Sequence, residues 1–138
     1  MGAIGEGDTP MPRLSLAFFT AAGVCGLTGM IWGANMAASN NFTMMPAHAH
    51  LNLLGWVSLA IMGGFYALAG NRAPMRLGWI NFVISAAGVV IAIPALAATL
   101  GGAKGADTFA MIGAMVLIAG MLTFLAAVLS LWAKPKAA

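Results

Sequence analysis

Four long apolar stretches constrain the fold of this chain more than any other feature. Each has the ~20 residues that a helix needs to cross a ~30 Å hydrocarbon core. They are continuous rather than alternating in polarity, which predicts helices and not the strands of a barrel. Only 7% of the 138 residues are charged, against about one quarter in soluble domains. We therefore predict an all-α, four-helix transmembrane bundle with helices at about residues 14–34, 47–69, 77–98 and 108–133.

The basic residues predict how this bundle is oriented. Five of the six lie at one side of the predicted membrane, namely Arg13, Arg72, Arg76, Lys134 and Lys136. Lys104, on the other side, has Asp107 three residues away. The positive-inside rule then places both termini in the cytoplasm. We expect a polar cytoplasmic tail at residues 1–12 and one membrane domain at residues 13–138. We expect the protein to lie in the lipid bilayer of a bacterial inner membrane. Its net charge of +3 does not indicate binding to nucleic acid.

The stretch "TMMPAHAHLNLLGW", residues 43–56, holds both histidines of the chain. His48 and Asn52 are four residues apart and share a helix face, and small or apolar residues continue this face as Gly55, Leu59 and Gly63. Such a face suits a flat cofactor lying along the helix. His50 lies about 200° round the helix from His48, so the two cannot bind one metal centre while the segment is helical. Either they serve different partners or the first turn is unwound at Pro46.

A wider set of ligand-type side chains is expected at the same outer level. An ionisable residue inside a membrane is a functional hypothesis by default. For the histidines the alternative is a role as interfacial hydrogen-bonding residues near the asparagines, and for His50 both interpretations stay open. The predicted cofactor-binding layer comprises Met30, Asn35, Met36, His48, His50, Asn52, Met111 and Met115.

Methionines beside the histidines allow a second interpretation. Met44 and Met45 are adjacent in a predicted loop, and thioether and imidazole ligands together suit Cu(I). Met44, Met45 and His50 are therefore the candidate copper ligands. Met62 and Met121 are expected to serve in packing, because methionine fills irregular gaps.

Several classes of activity are not expected. All three acids, Glu6, Asp8 and Asp107, lie outside the apolar stretches, so proton-coupled transport through an intramembrane carboxylate is not predicted. The chain also has no nucleophile triad, Walker motif or zinc-protease motif. Gly29 and Gly33 form a GxxxG pair, which allows close helix approach within the bundle or between copies. A homo-oligomer or a complex with a respiratory-chain partner is expected.

At "AHAHLNLLGWVSLAIMGGFYAL" the sequence resembles helix II of catalytic subunit I in the heme-copper oxidase and nitric oxide reductase superfamily. The preceding "GLTGMIWGANM" resembles helix I, so the likeness covers about residues 14–70. It implies that His48 ligates the iron of a heme b near the outer face, for electron transfer or for binding NO or O₂. The resemblance leaves the second axial ligand open between Met30, Met36, Met111, the His48 of a second subunit and an open position.

The same family sets a limit on the activity. Its members carry about a dozen helices, and the ligands of their binuclear centre lie beyond the length of this chain. With two histidines in all, this chain is not expected to reduce oxygen on its own. Two other interpretations remain open: a Cu(I) protein for copper storage, delivery or oxidase assembly, and a structural small subunit of a respiratory complex.

Overall fold

A computed structural model describes residues 11–132 of the chain. It contains four helices that are long enough and apolar enough to span a membrane, and residues 11–132 include no strand. They are α1 (Arg13–Ser39), α2 (Met45–Arg72), α3 (Met75–Leu100) and α4 (Ala106–Trp132). The predicted four-helix transmembrane fold is confirmed. Residues 1–10 of the predicted tail, and Lys134 and Lys136, lie outside the described residues.

Short loops join these helices, so consecutive helices run in opposite directions. The loops at residues 40–44 and 101–105 therefore lie at one end of the bundle, together with the start of α2. We call this the histidine end, because His48 and His50 lie there. The loop between α2 and α3 lies at the opposite end.

The first helix extends further than the apolar pattern predicts. It continues to Ser39, so Asn35 and Met36 lie inside α1 rather than at its end. The helix stops at Asn40, whose φ of 51° is left-handed and whose backbone N–H donates to the carbonyl of Ala37 at 3.3 Å. Asparagine tolerates this conformation better than most residues. The loop that follows is thereby folded back over the end of α1.

The second helix changes its winding beside the two histidines. Met45–His50 is α-helical, and Leu51–Ser58 is π-helical. The Ser58 hydroxyl donates to the carbonyl of Leu53, five residues earlier, at 2.7 Å. Because Pro46 lies in the first turn of a regular helix, the chain is not unwound there. π-Helical turns are rare and are frequent at functional sites.

Glycines of α1 make room for large side chains of α2. A Cβ atom added at Gly33 would lie 3.0 Å from Cε1 of the His48 ring, and one added at Gly26 would lie 3.0 Å from the Trp56 indole. At Gly29 it would collide with the Asn52 amide. The GxxxG pair thus serves contacts within one chain: Asn52 packs against Gly29, and His48 packs against Gly33.

The two halves of the bundle are packed with side chains of different size. At the opposite end Phe18 stacks on Tyr66, with ring centroids 5.5 Å apart, and Phe82 and Phe124 add edge-to-face contacts. At the histidine end the buried core consists of Leu51, Val89 and Ile93. Smaller side chains fill less volume between the helices, and two grooves lie at the histidine end.

Asn81 connects three helices near the end opposite the histidines. Its side chain is completely buried and donates to the carbonyl of Gly120 at 2.8 Å and to the hydroxyl of Thr123 at 3.2 Å. The Tyr66 hydroxyl donates to its amide oxygen at 3.3 Å. This network ties α2 and α4 to α3, because an unsatisfied amide in an apolar interior is costly.

Candidate functional site

An apolar groove opens between α2, α3 and α4 at the histidine end. Its volume is about 460 Å³, within the range of small-molecule sites in proteins. Alanines leave much of this volume unfilled, and the groove's lining includes His50, Leu54, Ala92, Ala110, Ala114 and Met121. We call this cavity the His50 groove.

His50 supplies the one imidazole in the His50 groove. Its Nδ1 lies 2.7 Å from the backbone carbonyl oxygen of Pro46. A carbonyl only accepts hydrogen bonds, so Nδ1 carries the proton and donates it. In the neutral ring Nε2 then keeps its lone pair. This is the arrangement found in most metal-binding histidines, whose second ring nitrogen donates to a carbonyl or carboxylate.

His48 occupies a different environment on the other side of α2. Its ring lies against Gly33 and meets the Trp32 indole edge to face, with centroids 6.5 Å apart. Nδ2 of Asn52 lies 3.2 Å from Nε2 and 3.4 Å from Nδ1 of this ring. The same amide nitrogen donates to the backbone carbonyl of His48 at 3.0 Å. His48 and Asn52 are therefore side by side as predicted, within the α1–α2 contact.

The two histidines thus face different neighbours. His48 faces α1, and His50 lines a groove formed with α3 and α4. Residues 45–50 are helical, so the alternative of an unwound first turn does not describe this structure, and binding of different partners by the two histidines stays a prediction.

The predicted face for a flat cofactor below His48 is filled by the first helix. A Cβ atom added at Gly55 would lie 2.9 Å from the Cys25 sulfur, and one added at Gly63 would lie 2.9 Å from Cβ of Phe18. Leu59 is buried in the aromatic half of the core. The small residues on this face therefore serve helix packing.

The remaining predicted ligands are spread over several surfaces. Met30, Met111 and Met115 are each more than half exposed, whereas Met36 is 4% exposed. Met36 and Asn35 line a smaller cavity of about 200 Å³ over the end of α1. The structure therefore does not gather the eight predicted residues into one layer around one centre.

The predicted copper ligands are also separated. Met44 lines the small cavity above α1, together with Met36 and Trp32. Met45 is 44% exposed, and His50 lines the groove on the other side of α2. Among residues 11–132 no group of three or more His, Cys, Asp or Glu side chains lies close enough to hold a metal.

A second apolar groove, of about 360 Å³, lies beside the first. It is bordered by Cys25 and Trp32 of α1, Leu51 of α2, and Val90 and Pro94 of α3. Its lining offers one thiol and no imidazole. The first half of α2 is thus flanked by two grooves, and the His50 groove is the one that contains an imidazole.

Three features of the site were not predicted from the sequence. One is the π-helical segment, which Gly55 and Ser58 alone do not predict. Another is Met121, which lines the His50 groove instead of filling a core gap. The third is the Asn81 network, which an asparagine inside a predicted membrane helix could have indicated.

The fold and the site define a four-helix membrane protein with an imidazole-lined apolar groove. Comparison with known proteins found no matching family model, no similar curated protein and no similar solved structure.

Proposed function

We propose that this protein is a small membrane cytochrome that binds heme b in the His50 groove, with His50 as an axial ligand. The observation that carries the proposal is the geometry of that imidazole. Its Nδ1 is tied to the Pro46 carbonyl at 2.7 Å, and the ring lines an apolar cavity of about 460 Å³. The ligand is thus His50, and not the His48 that the sequence resemblance implies.

The lining of the groove fits the apolar macrocycle of a heme. The alanines at positions 92, 110 and 114 provide width between the helices, and Leu54 provides an apolar wall. Apolar surroundings favour a large planar apolar ligand over water. A hydrogen bond from Nδ1 to a carbonyl also makes the other nitrogen of a histidine a better electron donor to a metal.

A heme also carries two carboxylates, which favour a cationic neighbour. Lys104 lies in the loop between α3 and α4, whose adjoining turns contribute Leu96 and Ala110 to the groove. Within residues 11–132 it is the one lysine or arginine at the histidine end. We assign to Lys104 the role of attracting one propionate at the mouth of the groove.

The second axial position separates the two possible activities. Met121 also lines the groove; a heme held by a histidine and a methionine would have a raised reduction potential, which suits electron transfer. A heme without a second protein ligand can bind NO or O₂. The resemblance to helices I and II of the heme-copper oxidases implies a heme near the outer face of the membrane, but it implies His48 as the ligand, so the assignment to His50 rests on the groove alone.

A visible spectrum of the purified protein tests the proposal. The protein is expressed in a heme-producing bacterium and purified in mild detergent, and a reduced-minus-oxidised spectrum and the bound metals are measured. We expect a sharp reduced b-type spectrum that is lost in His50→Gln and kept in His48→Gln. The two variants are matched, because each replaces one imidazole of α2 by an amide of similar length.

Other outcomes contradict the proposal in different ways. Loss of the heme only in His48→Gln would return the ligand to the position that the resemblance implies. A colourless protein with stoichiometric copper would support a copper carrier. A protein without heme or metal that stays folded after both substitutions would support a structural subunit.

A further inference from the structure

Two methionines at the histidine end line one small cavity with an indole. Met36 comes from the last turns of α1 and Met44 from the loop before α2, and Trp32 borders the same space of about 200 Å³. We call this space the cap cavity. Its lining comes from α1 and from the loop before α2, and it shares no residue with the His50 groove.

The loop that brings Met44 over α1 is held by specific hydrogen bonds. The backbone N–H of Asn41 donates to the carbonyl of Met36 at 3.2 Å, and the N–H of Thr43 donates to the Asn41 side-chain oxygen at 3.1 Å. The N–H of Met45 donates to the carbonyl of Phe42 at 3.0 Å. The position of Met44 beside the α1 residues is thus fixed by the backbone of the loop.

The side chains of Met36 and Met44 lie among polar groups in the cap cavity. Met36 is only 4% exposed although it lies one turn from the helix end. The other lining side chains include Asn35, Ser39 and Asn41. Methionine can fill an irregular gap, and it also brings a polarizable sulfur atom to each of these positions.

The two sulfur donors of the cap cavity are soft, and no side chain in its lining carries a formal charge. Its lining contains thioethers, amides and hydroxyls, but no carboxylate, thiol or imidazole. Neutral sulfur ligands favour a soft monovalent ion such as Cu(I) over Mg²⁺, Ca²⁺ or Zn²⁺. The face of an indole ring adds attraction for a cation.

We propose that the cap cavity binds one soft monovalent metal ion, Cu(I), through the sulfur atoms of Met36 and Met44 beside the Trp32 ring. The pair differs from the set Met44, Met45 and His50 that the sequence suggests. The site does not depend on heme binding, because His50 does not line it. Its exposed polar rim makes it accessible from the aqueous side of the histidine end.

Titration of the detergent-purified full chain with Ag⁺ tests this site. Ag⁺ has the same charge and softness as Cu(I) and is stable in air. We expect one Ag⁺ per chain by calorimetry and a parallel fall in tryptophan fluorescence, since Trp32 borders the cavity. In the Trp32→Phe variant the quenched fraction of the fluorescence should disappear.

Methionine-to-leucine variants then identify the ligands. Leucine keeps the volume of methionine and removes the sulfur. Met36→Leu and Met44→Leu should each weaken Ag⁺ binding by tenfold or more, whereas Met45→Leu, at an exposed neighbouring position, should leave it unchanged. Far-UV circular dichroism of each variant confirms that the helices are intact.

Three results would overturn the proposal. One is the absence of Ag⁺ binding to the folded wild type. Another is binding that is unchanged in both Met36→Leu and Met44→Leu. The third is binding that is lost in His50→Gln or Met45→Leu instead, which would place the metal at the set suggested by the sequence.

Discussion

Gly113→Ala tests how closely α3 and α4 must pack beside the His50 groove. A Cβ atom added at Gly113 would lie 2.5 Å from the backbone nitrogen and 2.6 Å from the Cα of Ala92. Comfortable contacts between such atoms are about 3.5–4.0 Å long. The obstacle is backbone and not the end of a flexible side chain, so the helices must separate by roughly 1 Å at this point.

The expected cost follows from that separation. Overpacking a well-packed interior costs about 1–3 kcal/mol, and the helix preference for alanine over glycine offsets up to about 1 kcal/mol of it. Gly64 is the matched control, since nothing lies within 4 Å of an added Cβ there. We expect the unfolding free energy of Gly113→Ala to fall by about 1–3 kcal/mol relative to Gly64→Ala.

Unfolding in mixed micelles of increasing SDS content, followed by circular dichroism, measures the difference. Because Ala92 also lines the groove, heme content should fall with stability in Gly113→Ala and not in Gly64→Ala. Equal unfolding free energies for the two variants would refute the close α3–α4 packing on which the shape of the groove depends.

Two other substitutions give independent checks of the account. Ala114→Phe fills the His50 groove and should abolish heme uptake, whereas Ala119→Phe, at an exposed position of the same helix, should not. Equal heme content of the two variants in the pyridine hemochrome assay would contradict heme binding in this groove. Asn81→Leu removes side-chain bonds to α2 and α4 and should lower the unfolding free energy by roughly 2 kcal/mol, at about 0.6 kcal/mol per bond. The hydroxyl of Thr28 donates to the Val24 carbonyl of its own helix at 2.8 Å, so Thr28→Val should have a much smaller effect in the same SDS titration.

Hydrophobicity was enough to predict the four helices, because the bilayer demands long apolar segments with internally paired backbones. It was not enough to predict their ends. α1 continues to Ser39 through residues such as Ala37 and Ala38, and its end is set by the left-handed Asn40. Such a cap is a local backbone feature that an apolar pattern does not report.

The assignment of faces on α2 could be predicted only in part. The spacing of His48 and His50 correctly indicated opposite faces, but not which face meets another helix and which meets a groove. Gly29 and Gly33 decide this, because they admit Asn52 and His48 to the α1 contact. The groove beside His50 arises from alanines that are distant in sequence, at positions 92, 110 and 114, so no single segment predicts it.

The central claim is that His50 ligates heme b in the groove, and an imidazole rescue experiment tests it most directly. In the His50→Gly variant, heme added with free imidazole should restore the wild-type spectrum, because the small molecule can occupy the space that the side chain leaves. Heme added without imidazole should give a different spectrum or none. A wild-type spectrum from His50→Gly without imidazole, with His48→Gly instead requiring it, would contradict the account.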